Sequence, residues 1–305
     1  MAPPIKSVAI AGATGLIGKP ILEALMASGK FDSIRVLTRQ TSSHVFPEGV
    51  RVERVDYGSV PSIAEALRGV DGLVSALSFD SIETQRNLVD GAFAAGVRRM
   101  IPSEYGNDTQ NPKLATVPIY LPKIAIREHL DRKVAEGKGA FSYTIIMNAS
   151  FLHPGYALNF LVDVDKKKAL IKDGGDVLFC AATLAHIGQA VVGIFTHPDE
   201  TANRPVKIRS VETTQNEILA IAQKIDPAAV WDLSYCRTEE EEKKAHERWA
   251  KGDRSEEVVE MFINRAFLGE GWGGHFPVVD NELLGIEEIG KQGLEDIIRT
   301  AMKKV

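Results

Sequence analysis

Across residues 7–150 the chain alternates short runs of small and β-branched residues with longer stretches of helical spacing, and this rhythm limits the fold more than any other feature of the sequence. The run "SVAIAGA" predicts a strand. Leu16, Ile17, Ile21, Leu22, Leu25 and Met26 then share one face of a helix that stops at Gly29. "SIRVLTR" and "VRVERVD" predict the second and third strands, and "SVPSIAEALRGV" a short helix with Pro61 tolerated in its first turn. "GLVSALS" predicts a fourth strand, "SIETQRNLVDGAFAAGV" a helix, "RRMIPSE" a fifth strand, "KIAIREHLDRKVAEG" a helix and "FSYTIIMNAS" a sixth strand. Strands separated by helical crossovers imply an α/β fold with a parallel, doubly wound sheet and right-handed connections.

The rhythm breaks after about residue 150. "DKKKALIKDGGDVLFCA" reads as two short strands joined by a Gly-Gly turn, and "TLAHIGQAVVGIFTHP" as a helix closed by Pro198. "RPVKIRS" reads as a strand, "TTQNEILAIAQKI" as a helix capped by Thr213 or Thr214, and 238–267 as two helices. The expected organisation is a dinucleotide-binding domain over 1–152 and a smaller α+β substrate lobe over 153–305. Some segments of the second part, such as 181–200, are expected to pack back on the first.

Composition excludes several function classes. The 305 residues, 44% hydrophobic and 25% charged, suffice for a large core. A net charge of −5 gives no basis for nucleic-acid or anionic-membrane binding. Cys180 and Cys236 are the only cysteines, far apart and without ligand spacing, which fits a reducing compartment and no metal. "MAPPIKSVAI" enters a strand pattern too early for a signal peptide, and no apolar run approaches the ~20 residues of a membrane span. The expectation is a cytoplasmic monomer or homodimer acting on a small molecule.

The stretch "VAIAGATGLIG" spaces Gly12, Gly15 and Gly18 three residues apart, between the first strand and the first helix. That places backbone N–H groups at a helix N-terminus, where they and the helix dipole favour a pyrophosphate. Gly12 permits the tight turn, Gly15 the approach of a ligand, and Gly18 the packing of helix on strand. This is the dinucleotide-binding arrangement of a Rossmann fold. The second strand ends at Thr38 and Arg39, where NAD-binding folds carry a carboxylate for the ribose hydroxyls. An Arg39 fork suits a 2′-phosphate, so the pattern favours NADPH/NADP+; the alternative is a solvated surface arginine. Asp56 and Tyr57 end the third strand beside the expected adenine, and Ser75, Ala76 and Leu77 end the fourth along the cofactor's path.

"GATGLIGKPI", "VLTR", "VDYGSVPSIAEALRGVDGLVSAL", "GVRRMIPSEYGND" and "KIAIREHL" together resemble the NmrA-like, isoflavone-reductase-like branch of the atypical short-chain dehydrogenases, and "GWGGHFPVVDNELLG" resembles its fungal members. The resemblance implies an NADPH-dependent reductase of an aromatic, phenolic or conjugated secondary metabolite. It implies cofactor contacts from Gly12, Thr14, Gly15, Leu16, Ile17, Gly18, Arg39, Ser75, Ala76, Leu77, Lys123, Asn148 and Phe151, the last against the nicotinamide. It also implies that Lys123, on the helix after "PSEYG", is the general acid/base. The dehydrogenase dyad Tyr-x-x-x-Lys is one residue short here, because Tyr120 precedes Lys123 by three positions with Pro122 between them.

A free lysine titrates at about 10.4, too high for a base at neutral pH. Burial and a neighbouring cation, either Arg127 one turn along the helix or the oxidised nicotinamide, would bring Lys123 towards the working range. Ser103 and Glu104 close the fifth strand at the edge where ligands enter open α/β sheets. Ser103 takes the place of the dehydrogenase serine, and Glu104 either acts there or ties the loop down. His153 is a further candidate proton donor, with a structural role as its alternative. "RTEEEEKKAHERWAKGD" reads as a solvated helix face. The glycine-rich segment with Trp272, His275 and Phe276 reads as a flap over the substrate or a loop anchored by its aromatics.

Two competing functions stay open on sequence. A cofactor-recycling isomerase or dehydratase would consume no net NADPH. A redox sensor would bind the dinucleotide, turn nothing over, and regulate a protein partner, since fold does not determine function.

Overall fold

The computed structural model describes residues 3–78, 81–153 and 161–303, without the side chains of Ile82 and Glu83. The first half forms β1 (Ser7–Ala11), α1 (Gly18–Ser28), β2 (Ser33–Arg39), β3 (Val50–Val55), α2 (Val60–Ala66), β4 (Gly72–Ser75), α3 (Ile82–Ala94), β5 (Arg99–Ile101), α4 (Leu121–Gly137) and β6 (Ser142–Met147). With β10 (Arg204–Lys207) they build a seven-stranded sheet in the order β10-β6-β5-β4-β1-β2-β3. Every pairing in it is parallel. The order reverses at β1, between β2 and β4, which opens a crevice at the carboxyl ends of those strands.

Both faces of the sheet are covered, as parallel sheets require. Alternate residues of β1 supply two different cores. Val8 and Ile10 pack with Ile21, Leu25, Val36 and Val191, whereas Ala9 and Ala11 pack with Leu37, Ile63, Leu88 and Leu130. A strand exposed to water on one face would alternate apolar and polar residues. The uninterrupted apolar runs of β1 and β4 are the sequence consequence of burial on both sides.

The remaining elements are β7 (Ser150–Phe151), β8 (Lys168–Lys172), β9 (Phe179–Ala182), α5 (Leu184–Thr196), β11 (Val211–Thr213), α6 (Gln215–Ile225), β12 (Asp232–Cys236), α7 (Thr238–Ala250), α8 (Glu256–Leu268) and α9 (Gly290–Met302). The second half of the chain also contributes to the large sheet. β10 pairs with β6, and α5 lies on α1 with Gly188 against the Pro20 carbonyl. A Cβ at Gly188 would come within 2.7 Å of that oxygen, so the two helices cross nearly backbone to backbone. Thr183 caps α5 through the His186 N–H, and Thr214, of the two candidates, caps α6 through the Glu217 N–H.

The two strands of "DKKKALIKDGGDVLFCA" exist as β8 and β9 but do not pair with each other. β8 pairs in parallel with β12, and β9 lies between β11 and β7. The Gly174-Gly175 turn docks on α6 instead: Asn216 donates its side-chain N–H to Gly174 and its backbone N–H to Gly175. Residues 154–156 of the segment "NASFLHPGY" lie outside the described residues. Among the described residues no helix is long and apolar enough to cross a membrane.

Candidate active site

A cleft of about 850 Å³ runs along the carboxyl ends of β1, β2, β3 and β4. Its floor is the first glycine turn. Gly12 has φ +85°, and a Cβ there would sit 2.3 Å from the Ala76 carbonyl oxygen. Gly18 is buried under the turn, where a Cβ would meet the Gly12 carbonyl at 2.0 Å. A Cβ on Gly15 would find its nearest neighbour at 3.5 Å, so this glycine leaves the backbone open towards the cleft. The three glycines therefore do three different jobs: two admit backbone to backbone, and one admits a ligand.

Arg39, at the end of β2, is exposed and lines the cleft together with Thr41, Ser42, Ser43 and His44. No carboxylate bonds to it among the described residues. Tyr57 donates its hydroxyl to the Leu37 carbonyl at 2.9 Å and is held neutral by burial, which raises its pKa against the pull of Arg39. Asp56 spends its carboxylate on the Gly58 N–H.

Beyond Leu77, Ser78 and Ser81 the cleft continues into a narrower compartment of about 210 Å³, walled by Ile17, Gln85, Tyr105, Pro122, Lys123 and Phe151. Lys123 stands in the first turn of α4, which starts two residues earlier than the helix run assigned from sequence and carries Pro122 near its N-terminus. The Lys123 ammonium donates to the Glu104 carbonyl. Burial lowers its pKa from the ordinary lysine value, while the negative charge of Glu104 works in the opposite direction. Arg127 is not the cause of that shift; its guanidinium donates to the Thr109 carbonyl at 2.9 Å. Ser103 donates its hydroxyl to the Leu77 carbonyl at 2.7 Å, and its N–H goes to Oε1 of Gln85 at 2.6 Å. Tyr105 donates to the Ser75 carbonyl at 3.1 Å.

Not every expected residue reaches the cleft. Ser75 and Asn148 are fully buried and line neither compartment, because each sits one layer below the rim. Gly18 is likewise interior, Leu16 is exposed outside the lining, and His153 is half-buried and outside it. Tyr120 packs in a separate apolar cluster with Leu114, Phe262 and Trp272, so it does not join Lys123. Sequence reasoning missed Gln85, Tyr105 and the 40–46 loop. Gln85 carries a readable signal: a polar residue three and four positions before Leu88 and Val89, on the face those residues bury.

Residues 4–230 match the model of the NmrA-like family. The chain belongs to that family. Similar proteins include "Oxidoreductase aprR" of Aspergillus flavus, 29% identical over 97% of this chain and 98% of that protein. "Oxidoreductase poxI" of Penicillium oxalicum is 34% identical over 70% of this chain and 68% of its own length. Among solved structures, AtPrR2 with NADP+ and (+)pinoresinol superposes with a TM-score of 0.75 over 99% of this chain and 100% of that one, at 20% identity, which is a likeness of fold.

The glycine-rich segment is anchored: Trp272 is buried between Lys113 and Arg265, Asp108 donates its N–H to Gly273, and Cys180 donates its own to Gly274. The segment borders a different cavity, with Asp173, Asp176 and Glu270, and not the Lys123 compartment. Folding also gathers Cys180, Glu212 and His275, whose donor atoms lie within 4.8 Å of one another, although their spacing in sequence gives no sign of it. The Arg209 guanidinium shares this position, donating to Glu212 at 3.2 Å and to the Phe276 carbonyl at 2.9 Å. A cation is therefore already placed among these donors.

Proposed function

We propose that the chain is an NADPH-dependent oxidoreductase that reduces a small aromatic or conjugated metabolite, with Lys123 as its general acid/base. The observation that carries this reading is the continuity of the two compartments. The glycine cleft and the Lys123 compartment share Leu77, Ser78 and Ser81, so a dinucleotide lying along the first would deliver its reactive end to the second. The residues fit that cofactor. Gly15 leaves the backbone open to a pyrophosphate, and Arg39 has no carboxylate partner among the described residues where a 2′-phosphate would lie. The names of the oxidoreductase relatives, and the NADP+ held by AtPrR2 in a similar fold, support the same reading.

Bound NADPH supplies the hydride; the rest of the chemistry belongs to the chain. Phe151, Ile17 and Pro122 provide apolar walls suited to a flat ring. Lys123, half-buried beside them, lines this compartment and is the group assigned to a substrate oxygen. As an ammonium it donates a proton to an oxyanion that develops on hydride addition; as an amine it accepts one from a phenol. Ser103, whose proton is committed to Leu77, orders the loop and leaves the proton transfer to Lys123.

The test is consumption of NADPH and NADH by the purified protein against phenolic enones, quinone-methide precursors and quinones. NADPH-selective reduction of at least one class is expected. Failure to bind NADPH would overturn the reading, and substrate conversion without net NADPH loss would replace it with a redox-neutral isomerase.

A further inference from the structure

The Lys123 compartment contains a second ionisable side chain with no assigned task. Glu104 is 2% exposed, and both of its carboxylate oxygens are buried without a hydrogen-bond partner among the described residues. Its neighbours have spent their polar atoms elsewhere. Ser103 is bonded to Leu77 and Gln85, Tyr105 to Ser75, and Arg127 to Thr109. The backbone of Glu104 is engaged instead: its N–H donates to the Pro102 carbonyl, and its own carbonyl accepts from the ammonium of Lys123. A buried carboxylate left unpaired is expensive, and natural structures keep such a group where a nearby charge or a function requires it.

The charged and titratable groups that face Glu104 come from three directions. Lys123 and Arg127 reach it from α4, Tyr143 from β6, and Tyr105 adjoins it in the chain. Both tyrosines are held neutral by burial, and Tyr143 donates to Asp131 at 2.6 Å. Two cations therefore act on this carboxylate. Arg127 is anchored to Thr109, so Lys123 is the one that opens to the compartment.

We propose that Glu104 is a positioning residue for the reaction: its buried, unpaired carboxylate is the counter-charge that keeps Lys123 an ammonium, ready to donate a proton, in an enclosure that would otherwise neutralise it. The inference rests on the reading of Lys123 as general acid/base, but its test does not. Burial alone drives a lysine towards the free amine, and an opposite charge a few ångströms away restores the cation. The surroundings of Lys123 have that form: burial works to lower its pKa while the charge of Glu104 works to raise it. Burial also pushes Glu104 up to about 6, and Lys123 and Arg127 pull it back, so the carboxyl is ionised at neutral pH, where the ammonium is needed.

Acetylation of Lys123 by acetic anhydride, followed by mass spectrometry of its peptide across a pH series, reports the fraction of free amine without turnover. In Glu104→Gln, which keeps the shape and removes the charge, the acetylation midpoint is expected to fall by about one to three pH units, the range an opposite charge within ~4–6 Å produces. The alkaline limb of the reduction rate should fall with it. A midpoint and limb that stay where they are in the native protein would overturn the proposal. If Glu104→Gln does not fold, Lys123→Met examines the pair from the other side. Without its counter-charge Glu104 binds its proton more tightly, so the decline of stability with rising pH should continue to a higher pH than in the native protein; a decline that ends at the same pH would overturn the proposal. Full turnover by Lys123→Ala would instead remove the acid/base reading of Lys123, and the acetylation result would still decide whether the two charges are coupled.

Discussion

Gly18 sits directly beneath Gly12: a Cβ on Gly18 would come within 2.0 Å of the Gly12 carbonyl oxygen. The helix proposed to receive the cofactor's phosphates is thus set by contact between two glycines, with no space for a methyl group. Gly18→Ala should cost about 1–3 kcal/mol in urea unfolding, the usual price of overpacking. Gly15→Ala, whose Cβ would meet only ordinary contacts, should be nearly neutral for stability yet weaken NADPH binding. Equal destabilisation by the two would contradict this division of labour.

Arg39 is the group assigned to the 2′-phosphate. Arg39→Met should weaken NADPH by about 10- to 100-fold, the worth of a charge-assisted hydrogen bond of about 1.5–3 kcal/mol, and leave NADH almost unchanged. Titration of both cofactors by fluorescence checks it. A parallel loss for NADH would assign Arg39 to the fold.

Glu104 gives stability a defined pH dependence. Its pKa in the folded chain, about 6, lies above the ordinary 4.5, so the folded state holds this proton more tightly than the unfolded chain. The associated stability is fully present below about pH 4.5 and is lost as pH rises through about 6. It amounts to about 2 kcal/mol. Glu104→Gln cannot titrate, so the difference in unfolding free energy between it and the native protein should grow across that interval and level off above it. A flat difference would contradict the assignment.

Gln85 holds the loop that carries Ser103. Gln85→Ala leaves the Ser103 N–H without its partner and should cost about 1–3 kcal/mol, measured by urea unfolding. Gln85→Met keeps most of the packing volume without an acceptor and should lose about as much. Native stability in Gln85→Met would show that the bond is not what Gln85 contributes.

The sheet was legible from sequence because β1, β4 and β6 are buried runs that differ sharply from the helices between them. The second half was less so. β12 has no buried residue and β11 is only three residues long, so backbone pairing with distant strands defines them rather than any local pattern. The pairing of β10 with β6 joins residues about sixty positions apart, and nothing in "RPVKIRS" names its neighbour. At the site, the glycine turn, Arg39 and Ser103 could be named because each lies at a strand end, whereas Lys123 and Phe151 could be named only through the family resemblance. Ser75 and Asn148 follow the same rule and fail to reach the cleft, because being near a strand end in sequence does not say which face of the sheet a side chain takes. Gln85 comes from a helix, and the 40–46 loop has no regular pattern, so neither was visible to that rule.

The central claim is that Lys123 moves the proton while the glycine cleft holds the cofactor. The most direct measurement is single-turnover oxidation of bound NADPH, followed by nicotinamide absorbance, in the native protein and in Lys123→Ala, beside the NADPH dissociation constant of each. The account expects reduction to slow by about 10²- to 10⁴-fold in the variant, with NADPH affinity little changed. Reduction at the native rate in Lys123→Ala would contradict it.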